Sequence, residues 1–292
     1  MSPVLEKIQK NFIPKKDLQQ DLFLQRYPKY DGRGILIAII DGGIDVCLEG
    51  MQKTSTGLPK IVDCFDFSGT NVVDTSMVRK TSENNTLLLL SGKEIMVPKN
   101  WKNPSNEWHL GIKSCKEMYS KVLAKSDIHD EKKEENKCLE ENETKIEKIK
   151  EAVENINLNG TVHNIDNTMD CIVRNDGIKW CTCIIPLSFS KNLENAKILT
   201  NFRDEHEYCF IFDNICCCVT IENDGHLLKL FISKNDHGSC VAQVAAAHYP
   251  DQPENNGLAP GAQIVSINLK KCIELGADIV NLSTGGISFT DR

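Results

Sequence analysis

The sequence predicts an α/β fold, an incomplete parallel sheet with flanking helices that is interrupted by a long helix-plus-hairpin insert. Three observations carry this. The run Ile35-Leu36-Ile37-Ala38-Ile39-Ile40 is continuously apolar and mostly β-branched, as in a strand buried on both faces of a parallel sheet. Two more short apolar runs, 263–267 and 278–283, lie near the end and follow a small-residue helical stretch. Between these parts stand a charged segment with helical spacing and two Asn-Asp-Gly turns flanked by β-branched runs.

Taken in order, the first strand stops at Asp41. Gly42, Gly43 and Ile44 let the backbone turn sharply there, so the Asp41 carboxylate is expected at the carboxyl end of a central strand, where open α/β sheets place their sites. Residues 61–67 form a second apolar segment and a candidate strand. Residues 127–154 hold 11 acidic and 6 basic side chains, and Leu139, Ile146, Ile149, Val153 and Ile156 draw one apolar stripe. That pattern predicts a solvated amphipathic helix, docked on its own domain or serving as a dimerisation rod. From 171 to 233 the turns Asn175-Asp176-Gly177 and Asn223-Asp224-Gly225 predict two hairpins, the second pairing 215–222 with 226–233. Residues 239–248, rich in alanine, predict a helix able to pack closely on a sheet, with Asn235 or Asp236 as its cap and His237 at its start. Only residues 268–278 connect the last two strands, near the lower limit for a parallel crossover, which needs about a dozen residues. The expected division is 1–110 for the first part of the main domain, 111–233 for the insert, and 234–292 for the second part.

Composition narrows the function classes. The chain has 292 residues, 40% of them hydrophobic and 26% charged, which suits a globular protein and excludes collagen-like or wholly disordered readings. A net charge of −7 argues against nucleic acid or an anionic membrane as partner. No apolar run approaches the roughly 18 residues of a spanning helix, and Met1 to Leu18 reads as neither signal nor anchor. The 13 cysteines are odd in number, and Cys216-Cys217-Cys218 are adjacent in an apolar stretch, so reduced thiols in a cytoplasmic protein are expected. No CxxC pair occurs. A structural zinc site would need unusual spacing such as Cys181-x-Cys183 with distant ligands, so neither metal nor other cofactor is expected.

An acid at the end of a buried strand, followed by a histidine that opens an apolar helix, supplies two parts of a Ser-His-Asp mechanism. The carboxylate orients the imidazole and stabilises its cation, and the imidazole takes the hydroxyl proton. Asp41 and His237 fit these catalytic roles. Each also has a plainer reading, Asp41 closing a turn and His237 beginning a helix. In an unrelated α/β binding module, Asp41 would instead hold a metal or accept a phosphoryl group, although no P-loop is present.

Three motifs favour the first reading. Ile39-Ile40-Asp41-Gly42-Gly43-Ile44-Asp45, His237-Gly238-Ser239-Cys240-Val241-Ala242 and Gly257-Leu258-Ala259-Pro260-Gly261-Ala262 occur in this order. Together they resemble the subtilisin-like serine peptidases, from about Asn11 to Ser283, and the Asp-before-His order is theirs too. The long separation of Asp41 from His237, Arg26-Tyr27-Pro28 through Gly34, and Gly57-Leu58-Pro59-Lys60-Ile61-Val62-Asp63 are similar to the branch of that family with a large insert. That branch removes tripeptides from free amino termini of cytosolic oligopeptides.

The resemblance implies a subtilisin-like sheet, oligopeptide substrates, and homo-oligomers of the much longer full-length chains. It makes Leu282-Ser283-Thr284-Gly285-Gly286 the edge that pairs with an extended substrate, so Ser283, Thr284 and Gly285 are the implied substrate-binding residues. Several positions depart from the pattern. Gly42 replaces Ser or Thr, and Cys240 replaces a second histidine that supports the helix. Gly286 replaces one glutamate that holds the substrate's amino terminus, and the short crossover removes the loop that carries the other. The oxyanion-hole asparagine and the Gly-Thr-Ser nucleophile would lie beyond Arg292, and no GTS or GxSxG occurs in the sequence. The expected function is therefore a serine-type peptidase domain whose 292 residues lack the nucleophile. The alternative is an inactive form limited to peptide binding or assembly. Neither Ser283 nor Cys240 is expected to serve as the missing nucleophile.

Overall fold

A computed structural model describes residues 13–65, 69, 71–114, 118, 168–185, 193–211, 215–233, 236–267 and 269–283. The amphipathic stripe of 139–156 lies outside the described residues, as do Asn235, Thr284 and Gly285. The chain divides into two compact units. One comprises Met1–Phe67, Phe202–Cys218 and Phe231–Arg292, and the other Ser68–Asn201 and Val219–Leu230. These bounds differ from 1–110, 111–233 and 234–292, because segments 68–110 and 231–233 fall on the other side of each division and 202–218 returns to the first unit.

The first unit is built on four parallel strands in the order Ile279–Leu282, Leu36–Ile40, Gln263–Ser266, Ile61–Cys64. The Leu36–Ile40 strand is central because both its edges find partners: Ile37 lies beside Ile264 on one side and Ile279 on the other. Alternation of side chains decides the layers. Ile37 and Ile39 share a core with Ala242, Ala246 and Ala247 of the helix His237–Ala246 and its C-cap. Ala38 points the other way, into a cluster with Val265, Ile267 and Cys272, the last on the short helix Leu269–Glu274. That six-residue helix is what the brief crossover has room for. Asp278 closes the connection: its carboxylate accepts the Leu36 N–H at 2.8 Å, and its own N–H donates to the Leu36 carbonyl at 3.0 Å.

The strand expected over 61–67 is shorter, Ile61–Cys64, and carries an irregular register between Ile264 and Val265 of its neighbour. Also in this unit, Cys209–Ile211 pairs antiparallel with Ile215–Cys217.

The second unit is antiparallel. Met77–Arg79, Trp108–Ser114, Thr168–Asn175 and Trp180–Ile185 lie in that order, with Thr168–Asn175 and Trp180–Ile185 joined through Asn175-Asp176-Gly177. Asp176 makes this turn by accepting the N–H groups of Ile178 and Lys179 at 2.8 and 2.9 Å. Asp224 and Gly225 take positive φ, 51° and 81°, and the His226 N–H donates to the Asn223 carbonyl at 3.0 Å, between the neighbouring strands Ile215–Glu222 and Leu227–Phe231. Such values are those of a two-residue type I′ hairpin turn. The two Asn-Asp-Gly signals therefore sit where the chain reverses. The eleven cysteines among the described residues are all unbridged thiols.

Candidate active site

Asp41 follows directly on the central strand, and its side chain is 7% exposed. The turn beyond it depends on Gly43, whose φ of +113° is disfavoured for residues with a side chain. The Gly42 N–H donates to Asp41 Oδ1 at 2.6 Å, which fixes one carboxylate oxygen. The other, Oδ2, lies 2.6 Å from His237 Nδ1, although 196 positions separate the two residues in sequence. A carboxylate can only accept, so in the neutral imidazole Nδ1 carries the proton and Nε2 is left as the acceptor. His237 is 57% exposed, so the imidazole is anchored on its buried side and presented to solvent on the other.

Two further contacts set this geometry. Gly238 lies so close to the Asp41 turn that a Cβ there would overlap the Gly43 carbonyl oxygen and come within 3.0 Å of Asp41 Cβ. Ser239 Oγ accepts the Asp45 N–H at 2.9 Å and so ties the start of the helix to the far end of the turn. Sequence reasoning missed Ser239, though His-Gly-Ser carries the signal. The helix begins at His237, two residues earlier than its apolar pattern suggested. Its cap position is Asp236, but that side chain makes no capping hydrogen bond.

The Gly257–Ala262 loop holds the other end of this helix. Gly257, Leu258 and Ala259 donate to the carbonyls of Ala247, Val244 and Ala245 at 2.8, 3.0 and 2.9 Å. A Cβ at Gly257 would stand 2.5 Å from the Gln243 carbonyl oxygen, so only glycine allows this approach. The loop is braced from its other side by Lys60, fully buried, whose Nζ donates to the carbonyls of Pro260 and Ala262 at 2.7 and 2.8 Å. Burial lowers the Lys60 ammonium to about 8, against the opposing pull of Asp31. Asp31 in turn receives Arg33, Ser55 Oγ and the Arg33 N–H, and the Arg33 hydrogen bonds hold its carboxyl down at about 2. Neither Lys60 nor Asp31 stood out in the sequence as a support of the site.

Ser283 comes just after the outer strand, whose register puts Leu282 beside Ile40, so Ser283 is carried to the same end of the sheet as Asp41. Its hydroxyl donates to Asn281 Oδ1 at 2.7 Å and is exposed. Cys240 is also exposed, one turn along the helix from His237. The structure thus brings Asp41 and His237 together by a direct hydrogen bond.

An oriented Asp–His pair at the carboxyl end of a parallel sheet can take up and return a hydroxyl proton. The subtilase family pattern matches residues 32–289, and the chain belongs to that family of serine peptidases. Among its relatives, tripeptidyl-peptidase 2 of Caenorhabditis elegans is 34% identical, over 94% of this chain and 23% of the worm protein. Tripeptidyl-peptidase 2 of Oryza sativa subsp. japonica is also 34% identical, over 89% of this chain and 21% of its own length. The crystal structure of tripeptidyl peptidase 2 (TPP II) shares the fold, with a TM-score of 0.63 at 20% identity, covering 90% of this chain and 24% of that one. The chain spans less than a quarter of the length of these relatives.

Proposed function

We propose that this chain supplies the aspartate and histidine of a tripeptidyl-peptidase that releases tripeptides from free amino termini of oligopeptides. The observation that carries this reading is the 2.6 Å hydrogen bond between His237 Nδ1 and Asp41 Oδ2 at the end of the central strand. In the complete enzyme, Nε2 of His237 takes the proton of a serine hydroxyl as that oxygen attacks the substrate carbonyl. The same nitrogen then protonates the departing amine, while Asp41 holds the ring and stabilises its cation. Ser283, Thr284 and Gly285 pair with the extended substrate through their backbone, and the position of Ile279–Leu282 at one edge of the parallel sheet supports that role. Full-length chains act as cytoplasmic homo-oligomers without a cofactor, binding neither nucleic acid nor membrane.

No Gly-Thr-Ser motif occurs within the 292 residues, and in this reading they are inactive by themselves. Their own capacity is peptide binding or assembly, which the exposed sheet edge favours. A fluorophosphonate probe separates these statements. The purified chain should remain unlabelled, while a longer product that carries the serine should label and lose labelling with His237→Ala. Labelling of the 292-residue chain would overturn its inactivity. A serine-bearing product that never labels would overturn the peptidase reading.

A further inference from the structure

The turn after Asp41 carries a second group of side chains. Asp45 and Cys47 lie on it, and Cys216 arrives from the strand Ile215–Glu222. One carboxylate oxygen and the two sulfurs lie within 4.8 Å of one another. The turn is held in place: Asp45 donates its N–H to Ser239 Oγ, and its Oδ1 accepts the Cys47 N–H at 3.1 Å. Cys216 is 8% exposed and belongs to the core against which Cys47 packs. Asp45 and Cys47 are half-buried, which leaves a way in from solvent.

We propose that Asp45, Cys47 and Cys216 form a three-ligand site for a thiophilic divalent cation of the zinc class, with the fourth position left to water. Ligand atoms around tetrahedral zinc stand at about 2.0–2.3 Å from the metal, hence about 3.3–3.8 Å from each other, so small side-chain rotations close the group. Two thiolates select zinc-like ions over magnesium or calcium, which prefer all-oxygen shells. Binding breaks the S–H bond of each cysteine, forms two metal–sulfur bonds and one metal–oxygen bond, and releases both protons to solvent. Without a cation the Cys216 thiol is pushed far up by its hydrogen bond with Cys47, by burial and by the Asp45 charge. A cation reverses that balance by stabilising the thiolate. The usual spacing signals do not reveal the site, because Asp45-x-Cys47 joins a cysteine far along the chain.

Cobalt(II) chloride, added to the reduced and chelator-treated 292-residue chain, tests this. A thiolate-to-cobalt charge-transfer band should saturate at a stoichiometric amount of metal, disappear on addition of zinc, and accompany a rise in melting temperature. Cys47→Ser should abolish the band and the rise, Asp45→Asn should shift the titration to higher cobalt, and Cys240→Ser should change neither. Cys47 is only half-buried, so its variant is expected to fold, which its far-ultraviolet circular dichroism checks. Should it fail to fold, Asp45→Asn decides. No band in the wild type, a band unchanged in Cys47→Ser or, where that variant does not fold, in Asp45→Asn, or a band lost only with Cys64→Ser, would overturn the proposal.

Discussion

At Gly238 a methyl group would strike the Gly43 carbonyl and crowd Asp41, so the residue after the histidine must be glycine for the pair to close. Gly238→Ala should cost about 1–3 kcal/mol of stability, as overpacking does. It should also remove the low-field proton NMR signal expected for the His237 Nδ1 hydrogen. Lys60 is a second fixed point. Lys60→Met leaves the Pro260 and Ala262 carbonyls without their donor and should lower stability by about 1–3 kcal/mol in thermal or urea melts. The folded chain releases the Lys60 proton near 8 and the unfolded chain near 10.5. Between these values the unfolded state holds more protons, so stability gains from this residue as pH rises through the window, and the variant should lose that gain. Asp63 behaves in the opposite sense. Burial raises its carboxyl to about 6 from 3.8, so the folded state holds the extra proton and stability falls as pH climbs through that interval. Asp63→Asn should melt above the wild type at pH 7 and converge with it below about pH 4.

Elements were legible where local pattern and tertiary demand agreed. The Leu36–Ile40 strand, both Asn-Asp-Gly turns and the alanine-rich helix all follow from apolar period or turn chemistry. Boundaries were less so. The helix starts at His237 because Ser239 and Gly238 dock on the Asp41 turn, a contact with a residue nearly two hundred positions away. Strand Ile61–Cys64 ends where its partner ends, with Cys64 beside Ser266, the last residue of Gln263–Ser266. Ser239→Ala removes one tie between turn and helix and should cost about 0.5–1.5 kcal/mol in chemical denaturation.

For the molecule as a whole, the outer strand of the parallel sheet is the exposed feature. Ile279, Val280 and Leu282 are 52%, 45% and 57% exposed, and among the described residues no strand pairs with their outer side. Unpaired backbone with apolar side chains invites another strand. The chain is therefore expected to self-associate, and Val280→Lys should shift it toward monomer in size-exclusion chromatography. A clean monomer of the unsubstituted chain would contradict this.

From its residues alone the protein showed an acid ending a buried strand, a histidine opening a helix, and the three motifs of a subtilase, because these depend on neighbours in sequence. The hydrogen bond joining Asp41 to His237, the buried Lys60 brace and the meeting of Asp45, Cys47 and Cys216 were decided only by the tertiary structure. Each joins segments set far apart along the chain, and local periodicity contains no term for such distances.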